Sequence, residues 1–230
     1  MSKTFVWMLV PVMVLATCAR ANDREKDERR LRECGTVVKE ILDVPDSVPQ
    51  SLLDKADCVV VFPSVREAAF GIGASYGRGA MTCRQDVDFD GPWDAPTMMT
   101  LEGLSFGFQL GAQATDLVLL VMNDRGGNAI LSSKVKLGAD VVATAGPVGR
   151  DASAETDVTA RAEILSYSRS RGLFAGVSLA GSTVRPDSDA NLQIYGQKIP
   201  TKEISGRTTA PPSADQLIST LNAKTPKHKS

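Results

Sequence analysis

Apolar residues at positions 31, 34, 37, 38, 41 and 42 recur at helical spacing and form a single stripe, so a helix is predicted here that ends before Pro45. The charged run before it, residues 22–32, has no apolar partner until Leu31 and reads either as a solvated helix start or as a disordered lead. Residues 46–49 read as a turn and residues 51–55 as a short second helix. From Asp57 the period changes. The unbroken apolar run 58–62 predicts a buried strand closed by Pro63. Residues 70–83 carry Gly71, Gly73, Gly77 and Gly79 among aromatic and small residues, which predicts a hairpin with closely approaching backbones. Three further strands are predicted at 98–101, 105–112 and 116–122, then a turn at 123–127 and a helical turn or two at 128–133.

Residues 134–149 are rich in Val, Ala and Gly and read as strand and loop. Residues 164–168 and 173–184 predict a hairpin about Arg169-Ser170-Arg171-Gly172. A short helix is expected at 187–195, a Pro/Thr/Ser linker at 208–213, a weak helix at 214–221 and a basic disordered tail after it. Strand and helix do not alternate in a sustained way, so a parallel sheet is not expected. The fold class is α+β: N-terminal helices packed on a curled, mostly antiparallel β-sheet or partly open barrel.

The ends of the chain bear on compartment. Lys3, the apolar run 5–16 and Ala19-Arg20-Ala21 make a secretory signal by length and flanks. The run is shorter than the ~20 apolar residues of a membrane span. Leu15-Ala16-Thr17-Cys18 reads alternatively as a bacterial lipobox, with Cys18 the lipidation site and Thr17 departing from the usual small residue. The expected division is a signal at 1–21, one domain at 22–207, and a linker, short helix and tail at 208–230. The expected location is the periplasm or cell envelope, with a lipoprotein anchor if Cys18 is acylated. Losing Lys3 and Arg20 leaves 26 − 2 = 24 basic against 27 acidic residues, a net charge of −3. That balance argues against a nucleic-acid partner.

Of the remaining cysteines, Cys58 and Cys83 are candidates to pair in an oxidising compartment, leaving Cys34 over; three buried apolar thiols are the alternative. CxxC spacing is absent, so zinc is not expected. The only histidine is His228 in the tail, so a Ser-His-Asp or Cys-His mechanism has no base inside the domain. Asp86, Asp88 and Asp90 resemble the start of a calcium loop, but no glutamate closes it between residues 95 and 98. No metal, cofactor or catalytic residue is expected.

Three segments together resemble the SYLF domain, also called the Ysc84 actin-binding domain. They are residues 57–63 with 70–73 and 76–79; residues 91–93 and 95–96 running into 105–113 and 115–116; and residues 132–140, 146–150 and 167–176. The series runs from about Leu31 to Tyr195. The resemblance implies a binding domain for membrane lipids, phosphoinositides in eukaryotic members, with actin binding in some fungal ones. It implies an exported role for a bacterial member, in which actin is an implausible partner. The family often carries an acidic residue where Ala180 precedes Gly181.

Phosphate headgroups call for Lys or Arg at a membrane-facing rim beside apolar groups. Lys134 and Lys136, two apart, share one face if extended, and Arg150 closes the 146–149 turn. Arg169 and Arg171 sit at the predicted hairpin tip beside Leu173 and Phe174. The expected function is non-enzymatic binding of anionic lipid; the alternative is a structural module binding another envelope protein.

Overall fold

The apolar runs in the middle of the chain form two long strands rather than several short ones. In the computed structural model these are β1 (Cys58–Cys83, 26 residues) and β2 (Thr97–Val121, 25 residues), paired antiparallel along almost their whole length. The structure describes residues 10–44, 48–85, 91–148, 161–170 and 173–225, with side chains described except at 10–21, 68–73, 104–113, 170 and 173–174. Arg150, Arg171 and the Asp86–Asp90 run lie outside those residues.

Pro63 does not close the first strand, as its sequence suggests. It falls in a register shift between Phe62 and Val65, with Ser64 at φ 51°. A bulge is where a strand tolerates a residue without an N–H. The Ser64 N–H donates to Asp116 Oδ1 at 2.9 Å, so the irregular backbone is satisfied from β2. A second register shift lies between Phe70 and Ile72.

Straight, β1 would span roughly 85 Å at ~3.3 Å per residue. Yet Cys58 and Cys83, its first and last residues, form a disulfide with Cα atoms 4.0 Å apart. The ribbon therefore doubles back. Arg84 N–H donates to Asp57 O at 2.8 Å, and a Cβ on Gly79 would lie 1.8 Å from the Val61 carbonyl oxygen. The two halves of β1 thus run antiparallel against one another. The expected close approach of backbones is present, but between halves of one strand rather than across a separate hairpin.

The remaining strands line β2. β7 (Thr183–Pro186) pairs with its first part and β5 (Ile164–Ser170) with its last part. β3 (Val135–Lys136) lies outside β7, while β4 (Ala143–Ala145, parallel) and β6 (Leu173–Gly176) pair with β5. The result is a strongly curled, mostly antiparallel half-barrel, of seven strands among the described residues, with helices, an α+β fold. β5 and β6 form the predicted hairpin in part: its second strand ends at Gly176, while Thr183 and Val184, expected to continue it, belong to β7 and pair with β2.

Side chains alternate between two cores. Val59, Val61, Met98, Val118, Leu120 and Leu165 meet the helices on one face. Cys58, Val60, Phe62, Met99, Leu117, Leu119 and Ile164 fill the other, with α3 (Asp124–Ser132). Burial on both faces explains why the strands read as continuous apolar runs.

The first core is covered by α1 (Val10–Asp43), whose Leu31, Cys34, Val37, Val38 and Ile41 are buried as the stripe predicts. The charged lead is helical too. Arg24–Glu28, Arg29–Glu33 and Lys39–Asp43 are i,i+4 ion pairs on α1, the spacing that supports a solvated helix. Two short helices follow in order, α2 (Gln50–Lys55) and α4 (Ser188–Tyr195); α4 is capped by Asp187 and ended by Gly196 at φ 70°.

α5 (Thr201–Ile204) and a 3₁₀ turn (Pro212–Ala214) lead to α6 (Asp215–Lys224). The expected weak C-terminal helix is part of the core: Leu217 and Leu221 are buried, and a Cβ on Gly35 of α1 would lie 2.9 Å from the Leu217 nitrogen. Its end is fixed where Trp93 Nε1 donates to Thr225 Oγ1 at 3.0 Å and the Arg84 guanidinium stacks 4.6 Å from the Trp93 ring centre.

Gly79→Ala tests the doubling back. A methyl group there meets backbone that cannot move without parting the two halves of β1. A loss of more than about 2 kcal/mol is expected in denaturant unfolding. Gly206→Ala, where the nearest atoms are 3.9 Å away, should stay within about 0.5 kcal/mol of the parent.

Candidate functional site

The two edges of the curled sheet are joined by one short connection. β3 reaches β2 through β7 near Leu101, and β4 reaches it through β5 near Leu120. Along a straight β2 those points would be roughly 60 Å apart. The connection between β3 and β4 is residues 137–142, which cannot span more than about 25 Å. The loop therefore crosses the mouth of the half-barrel.

Leu137 and Val141 point into the core beneath it, and Gly138, at φ 80°, donates to Val141 O at 2.9 Å. Asp140 closes the turn, accepting the Lys136 N–H at 2.7 Å. Lys134 and Lys136 are exposed on either side of buried Val135, so they do share one face. Neither forms an ion pair with a described residue. Val142, at the far end of the loop, is 49% exposed, and Val148 is exposed beyond β4.

Arg169 is placed differently from the expectation. It lies in β5 opposite Phe174, and its guanidinium pairs with Glu40 of α1 and, at 3.6 Å, with Asp116 of β2. Its side chain is only 21% exposed. A cation held between two carboxylates joins α1 to the sheet; it is not an outward hook. Leu173 and Phe174 are described only as backbone of β6. With Arg171 also outside the described residues, the rest of the expected tip cluster lies outside the described side chains.

A charged chain that sequence reasoning did not single out runs beneath α1. Arg30 and Arg78 flank the buried Asp27, and Arg78 Nε donates to Asp187 Oδ2 at 2.7 Å. Burial raises the Asp27 carboxyl above its usual range despite Arg78 and Arg30. At Asp187 burial pulls the same way, but Arg78, the Ala190 N–H and Thr100 outweigh it and leave the group below its ordinary value. Arg78 lies inside the Tyr76-Gly77-Arg78-Gly79 stretch that carried the resemblance, which was the available signal.

Asp94 is a second buried carboxyl. Desolvation pushes it up to about 8 although Ser205, the Cys83 N–H and Thr82 all bond to it. Cys34 stays a free, buried thiol with its pKa raised to about 12 by burial. Among the described residues no cluster could hold a metal ion, and no helix is long and apolar enough to cross a membrane.

The Ysc84 family model, described as a Las17-binding protein and actin regulator, matches residues 102–224. An SH3 domain-containing protein of Schizosaccharomyces pombe is 34% identical over 191 residues, which is 81% of this chain and 43% of that protein. The chain belongs to the Ysc84 family.

The SH3 domain-containing YSC84-like protein 1 of Homo sapiens is 33% identical over 188 residues, 80% of this chain and 54% of that protein. Protein YSC84 of Saccharomyces cerevisiae is 32% identical over 181 residues, 77% of this chain and 38% of that protein. The chain spans about half the length of the curated relatives it matches. The Ysc84 family is one of binding domains rather than enzymes. Because it is described as an actin regulator, the expectation that actin is an implausible partner has no support.

In this Ysc84 domain Arg169 is a tie between layers, so Arg169→Ala should lower stability by about 1 kcal/mol, more than an exposed arginine would. A double-mutant cycle with Glu40→Gln, read by thermal unfolding, should give a coupling of at least about 0.5 kcal/mol. Additive losses would mean the pair is not formed in solution.

Proposed function

We propose that this chain is a non-enzymatic, exported protein that binds anionic lipid headgroups at a membrane surface through Lys134 and Lys136. One observation carries the reading. Both lysines stand exposed without a carboxylate partner among the described residues, at the start of a loop whose other end exposes Val142. Arg30, Arg78 and Arg169 are all engaged by carboxylates. Free cations beside an exposed aliphatic side chain suit the boundary between headgroups and acyl chains. The segment 132–140 also lies within the family match.

Export is part of this proposal. Residues 22–26 of α1 are all exposed, and burial in the helix begins at Asp27, which suits a mature chain that starts at Asn22. The chain would then act in the cell envelope, with an acylated Cys18 as the alternative start.

Each lysine near an anionic surface contributes about 1 kcal/mol, so removing both should weaken binding tenfold or more, about 2 kcal/mol. Lys134→Ala with Lys136→Ala is therefore expected to lose most sedimentation with phosphatidylserine vesicles at physiological salt, with the melting temperature unchanged. Neutral vesicles should sediment neither protein. Undiminished binding by the double variant would remove the loop from the site. Sedimentation with actin filaments but with no vesicle would replace the lipid reading by an interaction module.

A further inference from the structure

On the face of the sheet opposite the Lys136 loop, Arg24 of α1, the end of α4 and the segment 206–212 enclose an open cleft of about 660 Å³. That is within the size range of small-molecule sites. Its walls divide by chemistry. Ile194, the Tyr195 ring, Ala210, Pro211 and Pro212 are apolar, while Arg24, Arg207, Thr208 and Thr209 supply donors. No carboxylate is among its described lining residues.

Two details suit those donors to an anion. Arg24 and Arg207 each pair with one surface carboxylate on their own local segment, Glu28 at 2.8 Å and Glu203 at 2.9 Å. Exposed pairs of that kind are weak and readily exchanged. The backbone N–H groups of Thr208, Thr209 and Ala210 donate to no described group. The frame around them is fixed, because Tyr195 Oη donates to Pro96 O at 2.6 Å and Arg207 O accepts the Ala95 N–H at 2.9 Å.

We infer that this cleft binds a small phosphate-headed amphiphile. Arg24, Arg207 and the Thr208 and Thr209 hydroxyls offer more donors than the two oxygens of one carboxylate can engage together, whereas the three terminal oxygens of a phosphate can accept from several at once. The apolar wall takes the body attached to it. The site is independent of the lysine loop, so either assignment can fail without the other.

Titration calorimetry on the full chain with octyl phosphate, below its micelle concentration, tests the inference. Saturable one-site binding is expected, with weaker binding of inorganic phosphate and none of octyl glucoside. Arg24→Ala with Arg207→Ala should raise the dissociation constant about tenfold or more. Arg185→Ala, an exposed arginine elsewhere, should change nothing. If the double variant does not fold, Arg24→Gln alone, at an exposed position on α1, should weaken binding in the same direction. Octyl phosphate that displaces the protein from phosphatidic acid vesicles would assign the head to a membrane lipid. Binding without displacement would assign it to a soluble phosphomonoester, and either result supports the cleft. Equal binding of octyl glucoside, no saturable binding, or binding unchanged in the arginine variants would overturn it.

Discussion

Cys58 and Cys83 stand at opposite ends of one strand, and the rest of the molecule depends on those ends meeting. Their disulfide and the Arg84–Asp57 hydrogen bond hold β1 against itself. β2 must follow, because it is paired to β1 throughout. The doubled ribbon then has an inside, filled by Val60, Phe62, Met99 and Leu119, and an outside on which α1 lies. It also brings the β7 and β5 ends of β2 close enough for residues 137–142 to link β3 to β4. The exposed lysines owe their position to a distant contact, Gly79 packed on the Val61 carbonyl.

Local pattern was a good guide wherever one element faced one environment. The α1 stripe, the α4 helix and the start of the β5–β6 hairpin were legible, because the local pattern there matches the element formed. The ribbon was not. Pro63 and the glycines 71, 73, 77 and 79 are strand-ending signals in isolation, but all lie within a single strand, where Pro63 and Gly71 fall at bulges and Gly79 at the backbone crossing. Nothing local distinguishes a chain that turns from a strand that bends. The C-terminal helix was underrated for a related reason: Leu217 and Leu221 offer a narrow stripe, and its value appears only against Gly35 of α1.

The same limit governs the site. Lys134 and Lys136 could be placed on one face from their spacing alone, and they are. Arg169 was read as free because its partners, Glu40 and Asp116, are distant in sequence. Charge in this domain divides into two populations. Arg78 and Arg169 tie α1 to the sheet through Asp27 and Glu40, while Arg30 braces Asp27 within the helix. Exposed cations at the barrel mouth and around the α4 cleft have little structural duty, and it is there that recognition of anions has room to act.

Membrane binding through the mouth of the half-barrel is the central claim, and residue-resolved hydrogen exchange reads it without altering the chain. Exchange would be compared for the protein free and on phosphatidylserine vesicles. Protection centred on the loop between β3 and β4, with α1 near Glu40 unchanged, is the predicted result. Protection confined to the β5–β6 tip or to α1, with the loop as open as in the free protein, would contradict it.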